Sequence, residues 1–169
     1  MKRVFALVLA SGALMILSTG LASPAMAATT VPLSMTFTEP LVPAASSGCN
    51  LEIESCGHGQ VIQFGQATEV IQFFACGTQP AECDIRTINL AGGTINVEEF
   101  PSDFTCPGVC QPNPSLPGRG TLTDTIVGGT GQFTGASGSL SGSVTLGGGV
   151  GTKGGGTMIK LSGTITLAN

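Results

Sequence analysis

Beyond residue 30 the chain alternates hydrophobic and polar positions in short runs. Val31, Leu33, Met35 and Phe37 alternate with Pro32, Ser34, Thr36 and Thr38, a period of two that predicts a first strand with one buried face. Residues 39–49 hold Pro40, Pro43 and several small residues and read as a loop. In residues 57–75, Ile62 and Phe64 share one parity and Ile71 and Phe73 the other, with Gly65 between them. A glycine at a parity switch predicts a bulge, or two strands meeting at a turn. Residues 84–90 and 94–100 flank Ala91-Gly92-Gly93, the pattern of a hairpin. In the last run, 158–167, Ile159, Leu161, Ile165 and Leu167 fall on one face.

Residues 126–138, IVGGTGQFTGASG, carry five glycines around Phe133, and the alternating SLSGSVTL follows. The pattern reads as strand, sharp turn and second strand, with Phe133 closing the bend from inside. Residues 101–120, with five prolines and two cysteines, read as a long surface loop, and 147–156 as a glycine tract. No segment past residue 27 shows a 3.6-residue period. The expectation is an all-β domain of about eight antiparallel strands, with strand glycines favouring a closed barrel over a sandwich.

The N-terminus does not follow this pattern. Met1-Lys2-Arg3, the apolar run of residues 4–17 and Ala25-Met26-Ala27 have the layout of a signal peptide with its cleavage site. The expected organisation is residues 1–27 as signal peptide and 28–169 as one secreted domain, with no membrane span. Residues 28–169 keep Arg86, Arg119, Lys153 and Lys160 against ten acids, a net charge near −6. Four scattered cations cannot track a phosphate backbone, which argues against nucleic acid as a partner.

Six cysteines in an exported chain read first as disulfides. Their spacing suggests the local clips Cys49–Cys56, Cys76–Cys83 and Cys106–Cys110, although sequence alone permits fifteen pairings. Zinc fits poorly, since there is no C-x-x-C pair and His58 is the single histidine. His58 reads as an exposed turn residue, for no G-x-S-x-G elbow supplies it with a nucleophile. The spelling Gly149-x-Gly151-x-x-Gly154 runs into a strand, not a helix N-terminus, so it is no dinucleotide site. Glu98, Glu99 and Asp103 match no calcium loop and read as solvated carboxylates at a strand end. Glu52 and Glu54 would point to one side, but a chain without Trp or Tyr lacks sugar-stacking platforms.

The VGGTGQFTGASG segment resembles the glycine-rich motif of the dirigent and allene oxide cyclase barrel superfamily, especially its small secreted bacterial members. GHGQVIQFGQATEV, LAGGTINVEE and KLSGTITL are similar to other elements of those proteins, so the resemblance covers most of residues 57–167. It implies an eight-stranded barrel with a central cavity, no bound cofactor and frequent assembly into trimers. Plant members cyclise an unstable epoxide or steer radical coupling. This chain departs from the bacterial pattern at Gly93, where an acid is usual, and at Gln132, where a basic residue is common. No catalytic set transfers.

Three functions follow as expectations. The first is a secreted, non-catalytic barrel holding a small apolar molecule, with Phe64, Phe73, Phe74 and Phe133 as candidate lining. The second is a cofactor-free cyclase or isomerase, which requires an inward polar group; Glu69, Gln72 and Arg86 are the candidates. The third is a cell-surface protein that meets a partner through residues 101–120.

Overall fold

The computed structural model describes residues 27–40, 49, 54–73, 83–105, 118–147 and 156–168. Eight strands, β1 (Thr29–Pro40), β2 (Glu54–Val61), β3 (Gly65–Gln72), β4 (Asp84–Leu90), β5 (Gly93–Thr105), β6 (Gly118–Gly129), β7 (Ser137–Leu146) and β8 (Gly156–Leu167), follow one another in the sheet. Every neighbouring pair is antiparallel, and β8 returns to β1 over twelve register pairs, from Thr29↔Leu167 to Pro40↔Gly156. The sheet is therefore a closed barrel, in which each strand has a neighbour on both sides and none is a free edge strand.

The period of two does what it predicts. Leu33, Met35 and Phe37 of β1, Leu122 and Ile126 of β6, and Ile159, Leu161 and Ile165 of β8 are all buried in the barrel. The intervening Ser and Thr side chains stand outside, some bonded across strands, as between the Thr30 and Thr166 hydroxyls at 2.7 Å. The parity switch near Gly65 is a turn of residues 62–64 between β2 and β3, and Gly65 takes a φ of 96° there.

Connections divide the barrel into two rims. At the turn rim, residues 62–64, 91–92 and 130–136 join β2 to β3, β4 to β5 and β6 to β7. The last of these contains a single 3-10 turn, Gly131–Phe133, that folds Phe133 into the barrel. Its backbone locks onto the neighbouring hairpin: the Gln132 N–H donates to the Gly92 carbonyl at 3.0 Å, and Thr130 N–H to the Thr94 carbonyl at 3.0 Å. Gly93 (φ 135°) has no room for a side chain, since a Cβ there would lie 2.0 Å from the Thr130 oxygen. At the loop rim, residues 41–53, 73–83, 106–117 and 147–155 make the four longer connections.

Two boundaries differ from the sequence expectation. β5 runs on through Thr105 and β6 begins at Gly118, so the long loop is shorter than residues 101–120. The extension survives its irregularity because β5 bulges between Ser102 and Thr105, with Asp103 at φ 52°. β1 likewise continues through Glu39 and Pro40, which the prolines had suggested were loop.

Candidate functional site

The barrel interior is apolar at the turn rim and charged in the half nearer the loop rim. Inward positions of successive strands there carry Glu39 on β1, Glu69 on β3, Asp84 and Arg86 on β4, Glu99 on β5 and Asp124 on β6, all buried. Each is an ordinary inward residue by parity: Glu39 follows Phe37, Glu69 lies between Ala67 and Ile71, Glu99 follows Val97, and Asp124 lies between Leu122 and Ile126. Between β6 and β1 the wall is completed by β7 and β8, which present the buried Leu140, Val144 and Ile159.

Arg86 is the centre of the cluster and is fully enclosed. Its Nε–H donates to Glu99 Oε2 at 2.9 Å, and Nη2–H reaches the same oxygen. Nη1–H donates to Glu69 Oε2, and Glu39 Oε1 stands 3.8 Å from the same nitrogen. The Ser55 hydroxyl donates to the other oxygen of Glu39 at 2.6 Å. Gly57 makes room for these chains: a Cβ on it would fall 2.6 Å from Glu69 Oε1 and 3.0 Å from Glu39 Cγ. Asp124 is the cross-strand neighbour of Glu99, yet among the described residues no group donates to either of its oxygens. Glu39 and Glu69 are hydrogen-bonded to each other through their carboxyl groups.

Burial sets the electrostatics. It pushes the Glu69 carboxyl up to about 8, with Arg86 pulling the other way. It pushes Asp124 up to about 7, helped by the charge of Glu99. Glu39 is also raised by burial, against the attraction of Arg86. For Arg86, burial opposes the charge, but Glu69, Glu99 and Glu39 outweigh it and hold the guanidinium above its ordinary pKa. The cluster is thus one permanent cation ringed by acids, two of which exchange protons near neutrality.

Of the seven residues singled out as cavity candidates, Glu69 and Arg86 meet inside the barrel. Phe133 is fully buried and Phe64 half-buried, with ring centroids 5.0 Å apart in an edge-on contact that seals the turn rim. Gln72 is a correction: it lies on the outer face of β3, because Ala67, Glu69 and Ile71 take the inner one. Phe73 is another, 42% exposed where the chain has left β3. Phe74, Glu52 and residues 106–117 lie outside the described residues, and so does the glycine spelling at 149–154.

His58 is exposed, on β2 and not in a turn. Glu99 also corrects the expectation of a solvated acid, for only its neighbours Glu98 and Asp103 lie outside the core. Glu39, Ser55 and Asp124 were not anticipated at all. The signal that finds them is the inward parity itself, continued through charged residues that seem to contradict it. The Cys49–Cys56 disulfide is present. Cys83 is also disulfide-bonded, while Cys76, Cys106 and Cys110 lie outside the described residues. Among the described residues no group of three His, Cys, Asp or Glu is disposed to hold a metal ion.

No family model, no curated protein and no solved structure matches the chain.

Proposed function

We propose that this is an exported, non-catalytic barrel that holds a small, largely apolar molecule in its loop half. The observation that carries the reading is the division of the interior. The turn rim is closed by Phe133 and Phe64 and by the hairpin contacts, whereas the loop half sets buried carboxyl oxygens without donors beside an aliphatic wall. Folding gains little from buried acceptors that nothing satisfies, so their retention supports a role in contacting something else. The signal-peptide layout of residues 1–27 and the Cys49–Cys56 disulfide support export. The closed eight-stranded topology supports grouping the chain with the dirigent and allene oxide cyclase barrels on architecture, and with it a homo-oligomer as the assembly to look for.

Native mass spectrometry of the non-reduced exported protein tests this directly. The expected result is a mass six hydrogens below that of the reduced chain, with a small molecule that co-purifies. An oxidised protein that never carries or takes up a guest, across a panel of apolar compounds, sinks the reading.

One observation favours a second reading, a cofactor-free cyclase or isomerase. Glu69 and Arg86 supply the inward polar groups that such chemistry requires, and a buried carboxyl titrating near neutrality suits proton transfer. Chromatography of the guest before and after incubation separates the two. A guest recovered unchanged supports the container, and an isomer of equal mass supports the enzyme.

A further inference from the structure

The container reading leaves the interior with an unbalanced charge, and that imbalance names the class of guest. Glu39, Glu69, Glu99 and Asp124 are each at most 5% exposed, and Arg86 is the one buried cation among the described residues. Arg86 directs its hydrogen bonds to Glu69 and Glu99. Asp124 is the exception: it is 1% exposed, it faces into the barrel beside Glu99, and neither oxygen receives a hydrogen bond from any described residue. A carboxylate only accepts, so a buried one is normally surrounded by donors. The side chains of Glu39 and Glu69 are hydrogen-bonded to each other through a shared proton, so the free acceptors of this wall are the two oxygens of Asp124, which no described group matches with a donor.

Such a wall is complementary to a group that only donates and carries positive charge. A metal ion does not suit it, since no three acids are disposed around one point and the guanidinium occupies the centre. The adjoining wall of β7 and β8, with Leu140, Val144 and Ile159, suits an apolar body.

We propose that the loop half of the barrel binds an organic cation, with an ammonium or amidinium head at Asp124 and an apolar body against Leu140, Val144 and Ile159. The inference rests on the container reading and goes beyond it by fixing the guest's head group. In the empty barrel, a proton stands in for the missing cation. Asp124, which titrates near about 7, holds it. The charged groups that act on Asp124 are Glu99 from β5 and Arg86 from β4, and its register neighbours on β7 and β8 are the uncharged Leu140 and Gly163. A cationic guest therefore displaces that proton, and its affinity rises with pH up to that range, by at most about tenfold per pH unit.

The test is calorimetry on the full exported, disulfide-intact protein with two probes of equal length, hexylammonium and hexanol, at pH 6 and pH 8. Buffers of different ionisation heat count the protons released. The expected result is hexylammonium bound at least about tenfold more tightly than hexanol at pH 8, with proton release and a weaker grip at pH 6. Asp124→Asn removes the preference and leaves hexanol binding intact; Asp124→Ser does the same and serves if Asp124→Asn does not fold. Equal, pH-independent binding of both probes overturns the cation inference and leaves the container standing. A preference for hexylammonium that survives both variants overturns the inference as well, since the cation then binds elsewhere. Binding of neither probe sinks the container and the inference with it.

Discussion

The two halves of this barrel are built from the same strands and follow opposite rules. At the turn rim the interior is hydrocarbon, the connections are two to seven residues long, and Phe133 sits at 0% exposure under the 3-10 turn. In the loop half, strands with the same inward parity bring four acids together around Arg86. Hydrophobic burial favours folding without needing a direction, so the turn half stabilises the barrel whatever it contacts. Buried charge costs several kcal/mol per ion unless geometry repays it. Here the repayment is partial: Glu99 and Glu69 are bonded to Arg86, and Asp124 is bonded to nothing among the described residues. One half is organised for stability alone, and the other keeps a cost that stability does not explain.

The largest effect expected from breaking that contrast is at Arg86. Arg86→Met removes the one buried cation from three carboxylates, at a cost of about 3–5 kcal/mol at neutral pH. Denaturant titrations should show the loss shrinking near pH 5, where the acids take up protons. A loss of equal size at both pH values would mean that the arginine acts by packing and not by charge.

Phe133→Ala, in the other half, leaves a cavity under the turn and costs about 3 kcal/mol. Unlike the arginine variant, it should cost the same at pH 5 and pH 8. A pH-dependent loss at Phe133 would mean that the two halves are electrostatically coupled.

The acids themselves give the third comparison. The folded pKa of Asp124, about 7, lies above the ordinary 3.8, so the folded chain keeps a proton that the unfolded chain has released. The stability this proton carries is complete below about pH 4 and is lost as pH rises through about 7. Glu69 behaves alike between its ordinary 4.5 and about 8. The guest-free barrel should therefore melt higher at pH 5 than at pH 8.5. Asp124→Asn should flatten that slope and raise stability at pH 8 by about 2 kcal/mol. A melting temperature that climbs from pH 5 to pH 8.5 would show that these acids are ionised and satisfied in the folded state.

The smallest effect is at the loop rim. Removing the Cys49–Cys56 disulfide, which spans a separation of seven residues, should cost about 2 kcal/mol or less by loop-closure entropy. It should also loosen the start of β2, which is visible as faster amide exchange there than in β6 to β8. Uniform exchange across the strands would mean that the disulfide stabilises the whole barrel and not its rim.

The alternating pattern made the architecture readable before any coordinates. Val31 to Phe37, the hairpin at Ala91-Gly92-Gly93 and the glycines around Phe133 each state their local geometry, and a sheet of such strands with glycines at its corners closes. The site was less readable for a physical reason. Glu39 and Asp124 lie at inward positions, but a charged residue at such a place looks like the end of a strand or an outward face, as Glu39 did beside Pro40. Glu98 and Glu99 are adjacent in sequence and lie on opposite sides of the wall, so as a pair they look solvated.

What the sequence determined by itself is what depends on neighbours along the chain: strand periodicity, turn positions and the inward set of Leu33, Met35 and Phe37. What only the tertiary structure decided is which inward residues meet. Arg86 finds Glu69 across one strand pair, Glu99 across another and Glu39 further round the wall. Those encounters depend on register and on closure of the barrel, and both are set by the summed burial of all eight strands, which no local stretch of residues encodes.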